Sequence, residues 1–164
     1  MKNLLFLSGA ILMLLLGSCS NPTDYNTAVM NQVNRVEEDA ANIARLIQEQ
    51  RFDEVQPALE SGRERTKRAL ERLEGMASFR GDDALRLAAV DFVAFYDRLF
   101  TNEYQEAIAL LQRGAPFSMD ETDRMFEIFN NVANEGVEVK EKLVAEHLAF
   151  IQRYGLIVQR EPRP

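Results

Sequence analysis

From Asp24 to Tyr154, apolar residues recur at steps of three and four. That interval is one turn of an α-helix and is incompatible with the two-residue alternation of a half-buried strand. Such a chain folds only by laying apolar helix stripes against one another. Four stretches carry the pattern. The first reads from Asp24 to about Gln50, with Thr23 or Asp24 as cap and Val29, Val33, Val36, Ala40, Ile43 and Ile47 on one stripe. The second reads from Asp53 to Glu74, with Asp53 as cap and Pro57 tolerated near the first turn. Its stripe is Val55, Leu59, Gly62, Thr66, Ala69, Leu73 and Met76, and the small residues at its middle predict a close helix approach.

The third stretch opens at Asp82 or Asp83 and reaches about Gln112, with Leu85, Ala89, Phe92, Tyr96 and Leu99, then Tyr104, Ala107, Ile108 and Leu111. Thr101-Asn102 interrupts it, and Asn102 with Gln105 imitates a capping box, which leaves open whether the helix kinks there. Gly114-Ala115-Pro116 is a turn. Ser118 and Glu121 form an S-x-x-E capping box that starts the last helix. That helix extends to Tyr154 and ends at Gly155. Its expected apolar face is Met125, Phe126, Phe129, Val132, Ala133, Val137, Val144, Leu148 and Ile151. Short connections favour antiparallel neighbours. The expectation is therefore an all-α, antiparallel up-down-up-down four-helix bundle over residues 24–155. A tail follows at 156–164, opening with the apolar Leu156-Ile157-Val158.

Ahead of the helices lies a segment of another kind. Lys2 is its only charge, and Leu4 to Leu16 is apolar apart from Ser8 and Gly9. Crossing a bilayer takes about 20 residues, whereas a signal-peptide core takes about 7–15. The run ends in Leu16-Gly17-Ser18-Cys19, which resembles the bacterial lipobox: a branched aliphatic, two small residues, then cysteine. The resemblance implies that residues 1–18 are a lipoprotein signal peptide and that the thiol of Cys19, the chain's one cysteine, receives a diacylglycerol. Residues 19–23 are then the lipidated cysteine and its tether. Ser20, which is not acidic, resembles the residue found in lipoproteins passed on to the outer membrane.

Charge and composition narrow the function. The chain has 19 basic and 26 acidic residues; losing Lys2 with the leader leaves 18 against 26, a net −8. An acidic body is a poor ligand for nucleic acid or anionic headgroups, so membrane attachment is expected through the lipid alone. One cysteine and one histidine cannot build a disulfide framework, a Cys/His zinc site or a covalent c-type haem. A ferritin-like di-iron site needs two Glu-x-x-His motifs, and the residue three before His147 is Val144. No Gly-x-Ser-x-Gly turn or glycine-rich phosphate loop is present. No catalytic residue, metal or cofactor is expected.

Two groupings invite a binding reading. Phe92 and Tyr96 on the third helix, with Phe126 and Phe129 on the fourth, would form an aromatic seam if those helices pack face to face. The seam is either a filled core or a slot for a hydrophobic or haem-like molecule. Arg63, Arg65, Lys67, Arg68 and Arg72 form a basic run interleaved with Glu64, Glu71 and Glu74. It reads as a solvated face, with a patch for a glycan or acidic partner as the alternative.

Cys19, the short gap, Asp24-Tyr25-Asn26, and then Val29 and Gln32 resemble a family of small bacterial surface lipoproteins of unknown function. Phe95-Tyr96 and the helical ending near Tyr154 suit that resemblance, which covers about residues 19–154. It implies surface or periplasmic display, an unassigned role, and no catalytic residues to carry over; outer membrane or cell surface is the expected location. The expected protein is a non-catalytic, exported, lipid-anchored helical bundle serving as an interaction or structural component, with a protein partner in the envelope.

Overall fold

The computed structural model describes residues 21–156. The leader, Leu16-Gly17-Ser18, Cys19 and the tail from Ile157 onward lie outside the described residues. Within them the chain is all-helical: α1 (Pro22–Gln48), α2 (Phe52–Glu74), α3 (Ala84–Arg98), a π turn (Leu99–Glu103), α4 (Tyr104–Arg113) and α5 (Met119–Tyr154). α3, the π turn and α4 follow without a break, so the elements make four rods, consistent with a four-helix bundle.

The ends of the rods follow local chemistry. α1 starts two residues earlier than the spacing suggested: Asn21 accepts a hydrogen bond from the Thr23 amide at 2.8 Å and Pro22 occupies the first turn, where its missing N–H costs nothing. Pro22 and Thr23, expected in the tether, therefore belong to α1. α2 starts at Phe52 without a side-chain cap, so Asp53 lies inside its first turn. Asp82 Oδ1 accepts from the Ala84 amide at the head of α3. The Ser118/Glu121 box forms in both directions, at 3.2 and 2.9 Å. Gly155 takes the left-handed conformation (φ 64°), and the Leu156 amide closes on the Ile151 carbonyl at 2.9 Å.

At Thr101-Asn102 the helix does not stop and restart. Instead the Tyr104 amide bonds to the Leu99 carbonyl, five residues back, which inserts one extra residue into the turn. Leu99 and Phe100 are both buried there, and Ala107, Ile108 and Leu110 continue inward along α4.

α1, α2 and α3 pack on one another, and α5 lies along α3. One core cluster gathers Tyr25, Val29, Val33, Val36, Leu73, Phe79, Leu85, Phe92 and Phe150; the other gathers Ile43, Leu46, Val55, Leu59, Phe95, Leu99, Phe100 and Ile108. The small centre of α2 has the predicted consequence. A Cβ on Gly62 would lie 3.1 Å from the fully buried Phe100 ring and 3.5 Å from Ile43, so the glycine is what lets the π turn close on α2. Beside it the buried Thr66 hydroxyl donates to Asp97 at 2.6 Å, joining α2 to α3.

α5 overturns one expectation. The residues it buries most deeply are Ile128, Leu143 and Phe150, not those on the expected face. Met125, Val132 and Ile151 are half-buried, whereas Phe126, Phe129, Ala133, Val137, Val144 and Leu148 are exposed. The cause is that α5 carries two apolar stripes. At 100° per residue, Ile128, Val132, Val139, Leu143 and Phe150 lie about 135° round the helix from a second line of Met119, Phe126, Ala133, Val137, Val144, Leu148 and Ile151. Both stripes satisfy the helical spacing, and the bundle takes the first.

Candidate functional site

The aromatic seam does not form. Phe92 is in the core and Tyr96 is half-buried beside it, their rings 4.9 Å apart, but Phe126 is 63% and Phe129 49% exposed on α5. They belong to the outer side of the helix, so the four rings do not enclose a slot. The aromatic cluster that does form joins Tyr25, Phe79, Phe150 and Tyr154, with centroids 4.6–5.6 Å apart. It clamps the start of α1, the α2–α3 loop and the end of α5 together. Tyr25 was legible as part of a motif; Phe79 lies in a loop, where periodicity has no purchase.

Two surfaces remain with chemistry that the fold itself does not use. The first is the outer stripe of α5, about 48 Å long from Met119 to Ile151. Met119 is 83% exposed, and Val137, Val144 and Leu148 are each about half exposed. A helix apolar on two sides is ordinarily covered on both. The edges of the stripe differ in charge. One holds Asp123, Glu127, Glu138 and Glu141; the other holds Thr122, Phe129, Lys140 and His147. His147 is half-buried, its Nε2 has no hydrogen-bond partner, and burial pulls its pKa below 6.5. The inner side is pinned by ion pairs to its neighbours: Lys142 to Asp91 at 2.6 Å, Arg98 to Glu135 at 2.5 Å, and Arg153 to Asp82. Arg124 grips Glu106 of α4 through two bonds of 2.7 and 2.8 Å, which lowers the carboxyl pKa of Glu106 and raises that of the guanidinium.

The second surface lies between α1 and α2. The basic run of α2 is interleaved with acids in sequence, but the helix sorts them. Glu60, Glu64, Glu71 and Glu74, with Arg63 and Lys67, line a groove toward α3 that also holds Asp97. Arg65, Arg68 and Arg72 face α1 instead, where Gln32 and Arg35 complete a cavity of about 160 Å³ floored by Val36 and Ala69.

Among the described residues no group of three or more His, Cys, Asp and Glu side chains could hold a metal ion, and no helix is long and apolar enough to cross a membrane. Comparison with protein-family models, with curated proteins and with solved structures finds no match.

Proposed function

We propose that this is a lipid-anchored protein of the bacterial cell envelope whose helical bundle acts as an interaction module, docking through the outer stripe of α5 onto a second copy of itself. Anchoring rests on the leader and on Cys19 directly after Leu16-Gly17-Ser18. Two or three acyl chains hold a protein durably to a bilayer, at about 0.8 kcal/mol per buried methylene. The interaction role rests on one observation, the second apolar stripe of α5, which no other element of the fold covers among the described residues.

The edges of the stripe favour a second copy aligned in parallel. In a parallel two-fold pair, each edge of one helix faces the opposite edge of the other, as in coiled coils. The acidic edge then meets the edge bearing Lys140 and His147, and Lys140, which pairs with Glu37 of α1 at 3.1 Å within the chain, comes beside Glu141 of the second copy as well. An antiparallel pair would set the acidic edge of one copy against the acidic edge of the other. A stripe about 48 Å long and about 10 Å wide on each copy buries on the order of 1,000 Å² in total, the lower edge of a specific interface. Parallel alignment also suits two copies tethered by the same end to one membrane. The acidic edge and net charge disfavour an anionic lipid surface as the occupant.

Two experiments separate the parts of this reading. Globomycin, which blocks lipoprotein signal peptidase, should cause a heavier precursor to accumulate; unchanged processing would refute the anchor. Sedimentation in nonionic detergent should give a dimer for the native lipoprotein and a monomer for the Val137→Glu/Leu148→Glu variant. Both substitutions fall on exposed positions, so helicity and stability should stay within about 0.5 kcal/mol per site. A variant that stays dimeric would refute the interface.

A further inference from the structure

We infer that the groove between α1 and α2 is an anion site for a phosphoryl group, built from Arg35, Arg68 and Arg72 beside Gln32. The four arginines of the cavity are not equivalent. Arg65 is neutralised by the buried Asp39 at 2.5 Å and ties α2 to α1. Arg68 reaches Glu64 through one nitrogen at 3.3 Å, which leaves its other donors unused. Arg72 makes no ion pair among the described residues and donates to Gln32 Oε1 at 3.5 Å. Arg35 likewise makes no ion pair among the described residues, although the protein has an excess of carboxylates.

Arg35 and Arg72 meet on this cavity with no carboxylate bonded to either among the described residues, and guanidinium groups that converge in this way repel one another. Helix α2 turns Arg65, Arg68 and Arg72 toward α1 and Glu60, Glu64, Glu71 and Glu74, with Arg63, toward α3, and Arg35 arrives from the neighbouring helix to complete the ring. The planar fork of arginine matches phosphoryl oxygens two at a time, a pairing that lysine cannot reproduce. The cavity is close in size to one known to admit a benzene-sized molecule, about 150 Å³. That space suits a phosphomonoester or pyrophosphate group rather than an extended polymer. The floor of the cavity is Val36 and Ala69, and the carboxylates bonded to its arginines are Asp39 on Arg65 and Glu64 on Arg68, which leaves Arg35 and Arg72 to an incoming anion. The ligand is therefore a phosphoryl-bearing anion, either a free compound or a lipid headgroup. This inference is independent of the α5 interface.

The test is calorimetric titration of the full chain in nonionic detergent at low salt, with two probes: sodium pyrophosphate and short-chain phosphatidic acid. The expected result is one site per chain for at least one probe. Tighter binding of pyrophosphate assigns a free phosphoryl compound, and tighter binding of phosphatidic acid assigns a headgroup. The Arg35→Gln/Arg68→Gln variant should bind about tenfold or more weakly, because it loses paired charge-assisted hydrogen bonds. Arg63→Gln, on the α3 side of the same helix, should bind as the parent does. Circular dichroism should be unchanged in both variants, because all three arginines lie at the surface. Two outcomes would overturn the site: neither probe binding below about 1 mM, or Arg63→Gln weakening binding as much as the double variant, which would mean diffuse attraction.

Discussion

Helices α1 and α2 on one side and α5 on the other were read by the same rule, with opposite results. In α1, five of the six stripe residues (Val29, Val33, Val36, Ala40 and Ile43) are buried, and in α2 Val55 through Leu73 are all buried. In α5 none of the nine expected residues is fully buried. The difference is not in the strength of the pattern but in its multiplicity. α1 and α2 each offer one apolar stripe, so helical spacing and burial coincide. α5 offers two, and spacing alone does not rank them. The choice was made by neighbours: Phe150 has Tyr25, Phe79 and Tyr154 to meet, and Gly136 lets α5 approach the Phe95 ring, with its would-be Cβ at 3.3 Å. The stripe left over after the core is satisfied is what the proposed interface rests on.

The contrast can be broken most directly by truncating an aromatic ring on each side of α5. Phe150→Ala should cost about 3–5 kcal/mol, as for a fully buried phenyl group, and Phe126→Ala should stay within about 0.5 kcal/mol in a monomeric background. Urea denaturation measures both; equal costs would mean that the outer stripe is covered within the fold. Gly62→Val probes the other side of the comparison, where α2 met its expectation. Its side chain would collide with the buried Phe100 ring and Ile43, for a loss of about 1–3 kcal/mol. A neutral result in the same assay would mean that the close approach at the π turn is not tight.

The smallest expected effect is at the edge of the outer stripe. Burial holds the folded-state pKa of His147 below 6.5, so the unfolded chain takes up its proton first as the pH falls. This residue therefore withdraws stability as the pH drops through 6.5 toward the folded-state value, and adds none above it. His147→Gln should flatten the fall in Tm between about pH 7.5 and 5.5 by a small amount, since the ring is half exposed. An identical pH profile for the two proteins would show that the imidazole is solvated.

Much of the architecture was legible because it is local. The Ser118/Glu121 box, the Gly155 terminus and the single stripes of α1 and α2 each depend on residues within one or two turns. What stayed hidden depends on which helices become neighbours. Phe79 enters the core from a loop. Arg35 and Arg68 share a cavity only because α1 packs on α2. The interruption at Thr101-Asn102 was visible, yet its form was not: an inserted π residue keeps Leu99 and Phe100 both inward, which a capped break would not do.

The outer stripe of α5 can be tested in the membrane itself. The chain's one cysteine is the proposed lipid acceptor, so Val144→Cys introduces a single free thiol on the centre line of the stripe. A disulfide forms only when the two Cα atoms lie within about 7 Å, which a parallel pair provides between residue 144 and its own duplicate. Mild oxidation of membranes carrying Val144→Cys should give a reducible dimer that disappears when Val137→Glu and Leu148→Glu are added. A monomer under the same oxidation, or a dimer that survives those substitutions, would contradict the assignment of this face to a second copy.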